Sequence, residues 1–339
     1  MFRFEKEQQV WDFNGTKIGG QPGEYPTVLG ASIFYNKHEI VLDDHKGTID
    51  KPKAEALWNR CQELTDETGI HFFCQIIGEF GEALESYFDW FASIDDKTAF
   101  LMDSSAPAAR MQAAKYVTEV GLANRAIYNS INGSISQEEI DALAKSDVDA
   151  AIVLAFNPAD PSVIGRQRVL SEGGVAGQSK GMIQIAEEAG ITRPILDTAA
   201  TPLGLGSGGS YREILACKGI YGLPTGGAYH NMTVSWTWLR RWKKNLGTVY
   251  DGKPALKDQM LKHYAKDFEA LRQAVWSAPD IGCNLIASTL GADLIMFGPI
   301  ENMEPMITSQ AYADITILEA ARDLGIDTLD PNHPINKLI

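Results

Sequence analysis

Residues 150–158 read Ala-Ala-Ile-Val-Leu-Ala-Phe-Asn-Pro. The apolar run from Ala150 to Phe156 has no polar break and stops at Asn157-Pro158. A short unbroken run of this kind suits a parallel strand covered on both faces. Upstream, Ser136-Gln137-Glu138-Glu139 forms a capping-box pattern ahead of an apolar-periodic stretch at 137–145. Downstream, a helical pattern at 178–189 follows Gly177 and stops at Gly190. The unit is therefore helix, buried strand, helix.

The same alternation extends in both directions. Strand-length apolar runs stand at 27–34, 72–78, 99–103, 125–131, 150–156, 193–198, 220–226 and 292–298. Helical patterns lie at 52–68, 80–93, 107–120, 137–145, 178–189, 209–219, 232–245, 256–276 and 308–323. Eight strand–helix repeats predict an α/β chain folded as a (β/α)8 TIM barrel, with a doubly wound sheet as runner-up. No Pro/Ser-rich linker divides residues 1–339, so one domain is expected. Residues 1–25 read as an N-terminal hairpin or arm, in which Val10–Phe13 and Lys17-Ile18 flank the turn dipeptide Asn14-Gly15. The longest interval precedes the last strand, where helical insertions belong.

Composition narrows the function. With 30 basic and 44 acidic residues the formal charge is −14. Such a surface disfavours nucleic-acid binding through bulk charge. No apolar run reaches the length of a membrane span, and the start of the chain carries no signal-peptide core. Four scattered cysteines form no CxxC pair, which predicts a reducing cytoplasmic setting and no structural metal.

In a (β/α)8 barrel the chemistry sits at the carboxyl ends of the strands. Those ends carry Glu79, Asp103-Ser104-Ser105, Asn129 to Asn132, Asn157, Asp197-Thr198, His230-Asn231 and Glu301-Asn302. Carboxylates and carboxamides dominate, with no lysine and no evident nucleophile. They can accept from N–H edges and donate to carbonyls and ring nitrogens, which suits a flat heterocycle with an amidine-like edge. Helix capping is the competing role for Asp103 and Asp197, since each precedes a helical stretch.

Other motifs weigh less. Gly204-Leu205-Gly206-Ser207-Gly208-Gly209 matches G-x-G-x-x-G but follows the sixth strand, where a dinucleotide fingerprint does not belong. Asp43-Asp44-His45-Lys46-Gly47 places its glycine one residue early for a cobalamin-binding D-x-H-x-x-G. His38, His71 and His263 have no ligand-like spacing and read as structural. Trp236 to Lys244 reads as a helix with a buried aromatic face and a solvated basic face, or as a local attractor of an acidic partner or anionic ligand tail.

Longer strings carry a resemblance. Met1 to Val10, Gly19-Gly20-Gln21-Pro22-Gly23-Glu24, Ile33-Phe34-Tyr35-Asn36-Lys37-His38, Tyr116 to Leu122, Arg125 to Asn132 and Ala151 to Pro158 resemble the H-subunit family of tetrahydromethanopterin S-methyltransferase. The resemblance spans nearly the whole chain and is weakest over 245–290. The family includes bacterial relatives similar to methylcobamide:tetrahydrofolate methyltransferases, and its wider group is the pterin-binding barrels.

The resemblance implies methyl transfer between the cobalt of a corrinoid and N5 of a tetrahydropterin. Tetrahydrofolate is the expected pterin, with tetrahydromethanopterin as the alternative. Asp103, Asn129 and Asp197 correspond to pterin-holding residues, and Asn231 to the residue that contacts N5. Asn231 and Asp103 are thus the expected catalytic pair, while Ser104, Asn157, Glu79 and Glu301 complete the expected pterin rim. The relatives have a short G-x-S-N turn where this chain has Gly226 to Asn231, so the Asn231 correspondence is looser. With no cobalamin motif, the corrinoid is expected on a separate protein, and related barrels suggest a homodimer. No tightly bound metal is expected. Two rival readings are a non-catalytic pterin-binding subunit and a dihydropteroate-synthase-like condensation. The latter lacks its lysine near strand seven and its Arg-x-His after strand eight.

Overall fold

The computed structural model describes residues 2–175, 177–264 and 267–339. The chain opens with the hairpin β1 (Val10–Phe13) and β2 (Thr16–Gly19) and enters the barrel at β3 (Val28–Ile33). A second hairpin, β4 (Val41–Asp43) and β5 (Thr48–Ile49), precedes α1 (Lys51–Thr68). Next come β6 (Phe72–Ile77), α2 (Gly81–Ile94), β7 (Phe100–Asp103), α3 (Pro107–Glu119), β8 (Ala126–Ile131), α4 (Gln137–Ala144) and β9 (Ala150–Leu154). Two helices, α5 (Val163–Ser171) and α6 (Met182–Glu188), lead to β10 (Arg193–Asp197), α7 (Ser207–Ile220) and β11 (Thr225–Gly227). Between β11 and the last strand lie α8 (His230–Ser235), α9 (Thr237–Asn245), α10 (Pro254–His263) and α11 (Phe268–Thr289). Then β12 (Leu294–Pro299), α12 (Met303–Arg322) and α13 (Pro334–Leu338) complete the chain.

The strands from β3 onward, β4 and β5 apart, pair in parallel and close an eight-stranded barrel in sequence order. This excludes the doubly wound sheet. With the barrel closed, Gly204 to Gly209 is the loop and first turn leading into α7, not a dinucleotide fingerprint.

Two apolar layers hold the wall. Outward side chains of the strands pack under the helices, which contribute Trp58 from α1 and Tyr87, Phe88 and Phe91 from α2 to the same buried layer. Inward side chains, including Phe73, Leu101, Ile127, Ile152, Ile195 and Leu294, fill the barrel itself. The β1–β2 hairpin plugs the amino-terminal end, where Phe13 and Ile18 join the inner cluster. Its turn places Asn14 at φ 52° and Gly15 at φ 99°, the left-handed pair that a type I′ hairpin needs.

Local signals set most boundaries. Asp50 Oδ1 accepts from Lys53 N at the start of α1, and Gly69 at φ 80° ends it. At α4, Ser136 Oγ accepts from Glu139 N at 3.2 Å, so one half of the capping box forms. The other half does not, because the Glu139 carboxylate turns inward to Arg110 and Tyr128.

Several boundaries differ from the sequence reading. The seventh strand is Thr225–Gly227, not 220–226, because Ile220 still belongs to α7 and Gly222 at φ 67° stops that helix. The pattern at 232–245 is two helices, since Trp236 is extended at ψ 94°. The pattern at 256–276 also divides, into α10 and the start of α11, and its residues 265 and 266 lie outside the described ones. The β4–β5 hairpin and α5 have no counterpart in the sequence reading.

Candidate active site

The carboxyl ends of the strands gather the polar residues. Asp103 closes β7, Asn129 lies opposite it in register on β8, and Asp197 closes β10. Gln75 on β6 links Asp103 to Ser32 on β3. Its Nε2 donates to Asp103 Oδ2 at 2.5 Å, while its Oε1 accepts from Ser32 Oγ at 2.8 Å. Asp197 Oδ1 accepts from Ala199 N at 2.7 Å. Each aspartate thereby keeps its second carboxylate oxygen unengaged by a described donor.

Electrostatics bind the two aspartates together. Burial raises the Asp103 carboxyl to about 6, against the Gln75 hydrogen bond that lowers it and with the help of the Glu79 charge. Burial raises Asp197 to about 6 as well. The Ala199 N–H pulls it down and the charge of Asp103 pushes it up. At neutral pH both are predominantly ionised carboxylates facing a common space, with spare acceptor oxygens. That arrangement calls for N–H donors.

Two buried arginines brace the loops that carry these aspartates. Arg110 donates to the Ser104 carbonyl at 2.6 Å and pairs with Glu139. Arg166 donates from Nε to the Thr198 carbonyl at 3.1 Å and from Nη2 to Ser210 Oγ at 2.9 Å. Ala199, at φ 56°, is held left-handed inside that second loop.

The remaining expected residues divide. Glu79 is exposed and accepts from Ser105 Oγ at 2.6 Å. Ser104 is buried and its Oγ accepts from Ala106 N, a turn contact. Asn157 is also buried, but its amide serves its own loop, donating to the Gly165 carbonyl and accepting from Ala159 N and Asp160 N. Glu301 accepts from His38 Nε2 at 2.7 Å and Tyr35 OH at 3.2 Å, tying the end of β12 to the loop after β3. Asn231 is exposed near the start of α8. Its neighbour His230 turns a ring nitrogen to the Met296 carbonyl at 2.9 Å.

The sequence reading misses Gln75, Ser32, Arg110 and Arg166. Gln75 carries a signal, as the one polar residue inside Phe72–Ile77. The arginines carry none, because their partners lie on other elements. His38 and His71 both read as structural from the sequence. The structure links buried His38 to Glu301, and burial lowers the pKa of His71.

A cleft of about 860 Å³ opens beside the mouth, lined by Phe34, Tyr35, Leu42, Asp44, Glu79 and Phe80 among others. It begins next to Asp103, since Ile77 pairs with Asp103 and Gly78 N donates to the Asp103 carbonyl. The Asp43–Gly47 stretch forms the turn of the β4–β5 hairpin on its rim, and His45 stacks on Phe80 at 3.7 Å. On α9 the aromatic face is not buried. Trp238 and Trp242 stack at 5.3 Å and stay largely exposed, and Leu239 is the residue that faces inward.

Comparison with known proteins decides the family. The model of the tetrahydromethanopterin S-methyltransferase MtrH subunit matches residues 6–329. The chain belongs to that family. The corresponding MtrH-type chain of the tetrahydromethanopterin S-methyltransferase of Methanosarcina acetivorans is 49% identical over 339 residues, covering 100% of each chain. Its counterpart from Methanocaldococcus jannaschii is 42% identical with the same full coverage. Membership of the MtrH family makes this chain a methyltransferase. In three dimensions it is similar to Yersinia pestis dihydropteroate synthase, with a TM-score of 0.53 and 14% identity over 94% of this chain and 100% of that one. That likeness concerns the barrel alone. Among the described residues no cluster of His, Cys, Asp and Glu could hold a metal ion. No described helix is long and apolar enough to cross a membrane.

Proposed function

We propose that this chain transfers a methyl group between N5 of tetrahydromethanopterin and the cobalt of a corrinoid carried on a separate protein. The observation that carries the reading is the Asp103–Asp197 pair, two ionised carboxylates with spare oxygens at the barrel mouth. A pterin offers an amino group and ring N–H donors, which match those oxygens. Asn129, beside Asp103, offers both a donor and an acceptor to the same ring. Tetrahydrofolate is the pterin expected from the sequence. The relatives' names favour tetrahydromethanopterin instead.

The transfer needs no protein nucleophile. The corrinoid supplies the reacting cobalt, and this chain holds the pterin and aligns its N5. Asn231 is the expected contact to N5, on the strength of the family correspondence. The acidic, buried environment favours positive charge on the pterin, which is what N5 requires to leave.

The test is an anoxic assay of purified protein with methylcobalamin and each pterin, followed by the spectrum of cob(I)alamin. Asp103→Asn and Asp197→Asn variants should each lose at least tenfold in turnover. Undiminished transfer by both variants would remove these carboxylates from the site.

A further inference from the structure

His230 stands inside the barrel mouth, and its ring has a defined protonation pattern. Nδ1 lies 2.9 Å from the Met296 carbonyl oxygen. A carbonyl can only accept, so Nδ1 carries the proton and Nε2 presents a lone pair. Burial holds the imidazole below its ordinary pKa, which keeps it neutral. Nε2 has no hydrogen-bond partner among the described residues.

Gly298 makes room for this ring. It sits on β12 at φ 89°, and a Cβ there would stand 3.0 Å from His230 Cδ2 and 3.1 Å from Nε2. The same strand places Met296 in the inner cluster of the barrel. Met296 Sδ in turn lies 4.0 Å from Asn129 Nδ2. The imidazole, Met296 and Asn129 therefore form one continuous wall of the mouth. Nε2 is thus a neutral acceptor fixed in direction by the Met296 contact, half-buried and open to a ligand donor.

We propose that His230 Nε2 accepts a hydrogen bond from the N5 proton of the bound tetrahydropterin. This rests on the function proposed above and adds the residue that reads the protonation and methylation state of N5. The unmethylated pterin carries N5–H and satisfies Nε2 directly. The methylated pterin satisfies it only when N5 is protonated, the form in which the amine can leave. When cobalt(I) attacks the methyl carbon, the C–N5 bond breaks and its electron pair stays on N5, which keeps its proton as a neutral amine. Cobalt is formally oxidised to methyl-cobalt(III). His230 remains neutral throughout and donates no proton.

The experiment is calorimetric titration of the whole chain with tetrahydromethanopterin and with its 5-deaza analogue, which lacks the N5 donor. The wild type should bind tetrahydromethanopterin about tenfold more tightly than the analogue, the worth of one good hydrogen bond. His230→Ala should abolish that preference while binding the analogue as the wild type does. His230→Gln retains an acceptor oxygen and should restore part of it, which guards against a merely misfolded alanine variant. Retention of the full preference in His230→Ala overturns the proposal and leaves the methyltransferase reading intact. Failure of the wild type to bind tetrahydromethanopterin overturns both.

Discussion

Asp103 and Asp197 share one electrostatic problem, and the pterin is the proposed solution. Both carboxyls are raised to about 6, Asp197 partly by the charge of Asp103. Their acceptor role needs the ionised form, so pterin affinity should fall as pH drops through about 6. Removing one charge should help the other ionise. In Asp103→Asn the acid limb of binding should therefore move to lower pH, as titration calorimetry across the acid-to-neutral range would show. A limb that stays in place would mean that the two groups do not share the ligand. The bracing arginine belongs to the same scale. Arg166→Met would leave the Thr198 carbonyl without the guanidinium donor and remove the tie from that guanidinium to Ser210. We expect a lower melting temperature and a weaker pterin affinity, because the loop that aims Asp197 loosens.

At the scale of elements, the β1–β2 hairpin is part of the core. Phe13 is 1% exposed and Ile18 is fully covered, both inside the barrel's inner cluster. Phe13→Ala should cost about 3–5 kcal/mol in urea unfolding, the usual range for a buried phenylalanine. A loss under about 1 kcal/mol, well below that range, would mark the hairpin as a loose arm. The hairpin was legible because Asn14-Gly15 is a strong turn signal between apolar pairs. Most barrel strands were legible for a similar reason, since a strand covered on both faces must be a continuous apolar run. The seventh strand was not. Thr225-Gly226-Gly227 has almost no side-chain signal, because these small residues leave space: a Cβ at Gly227 would stand 3.1 Å from Asp197 Oδ1. The apolar residues of 220–224 pulled the reading onto the end of α7. The polar strand ends were visible as a set, but their sorting was not. Nothing in the local sequence distinguishes Asp197, which faces the mouth, from Asn157, whose amide holds its own loop. That sorting depends on contacts between residues far apart in the chain.

The whole molecule carries a buried acid with consequences for its pH stability. Asp314 on α12 accepts from Thr27 N, Thr27 Oγ1 and Gln310 Nε2, at the amino-terminal end of β3. Burial raises its carboxyl from 3.8 to about 7, despite those bonds. A raised carboxyl stabilises the fold fully below the unfolded pKa, and that stability is lost as pH rises through the folded pKa. Asp314 should therefore make the protein less stable on the alkaline side of about 7 than on the acid side. In Asp314→Asn that part of the slope should vanish, a difference readable in melting temperatures across the range. An unchanged slope would assign the pH dependence to other groups. The central claim concerns the mouth of the barrel and the ligand it selects. Its most direct test is the anoxic methylcobalamin assay run side by side with tetrahydromethanopterin and tetrahydrofolate. The account predicts cob(I)alamin formation with tetrahydromethanopterin, loss of it in Asp197→Asn, and little or none with tetrahydrofolate. Equal or faster transfer to tetrahydrofolate would contradict it.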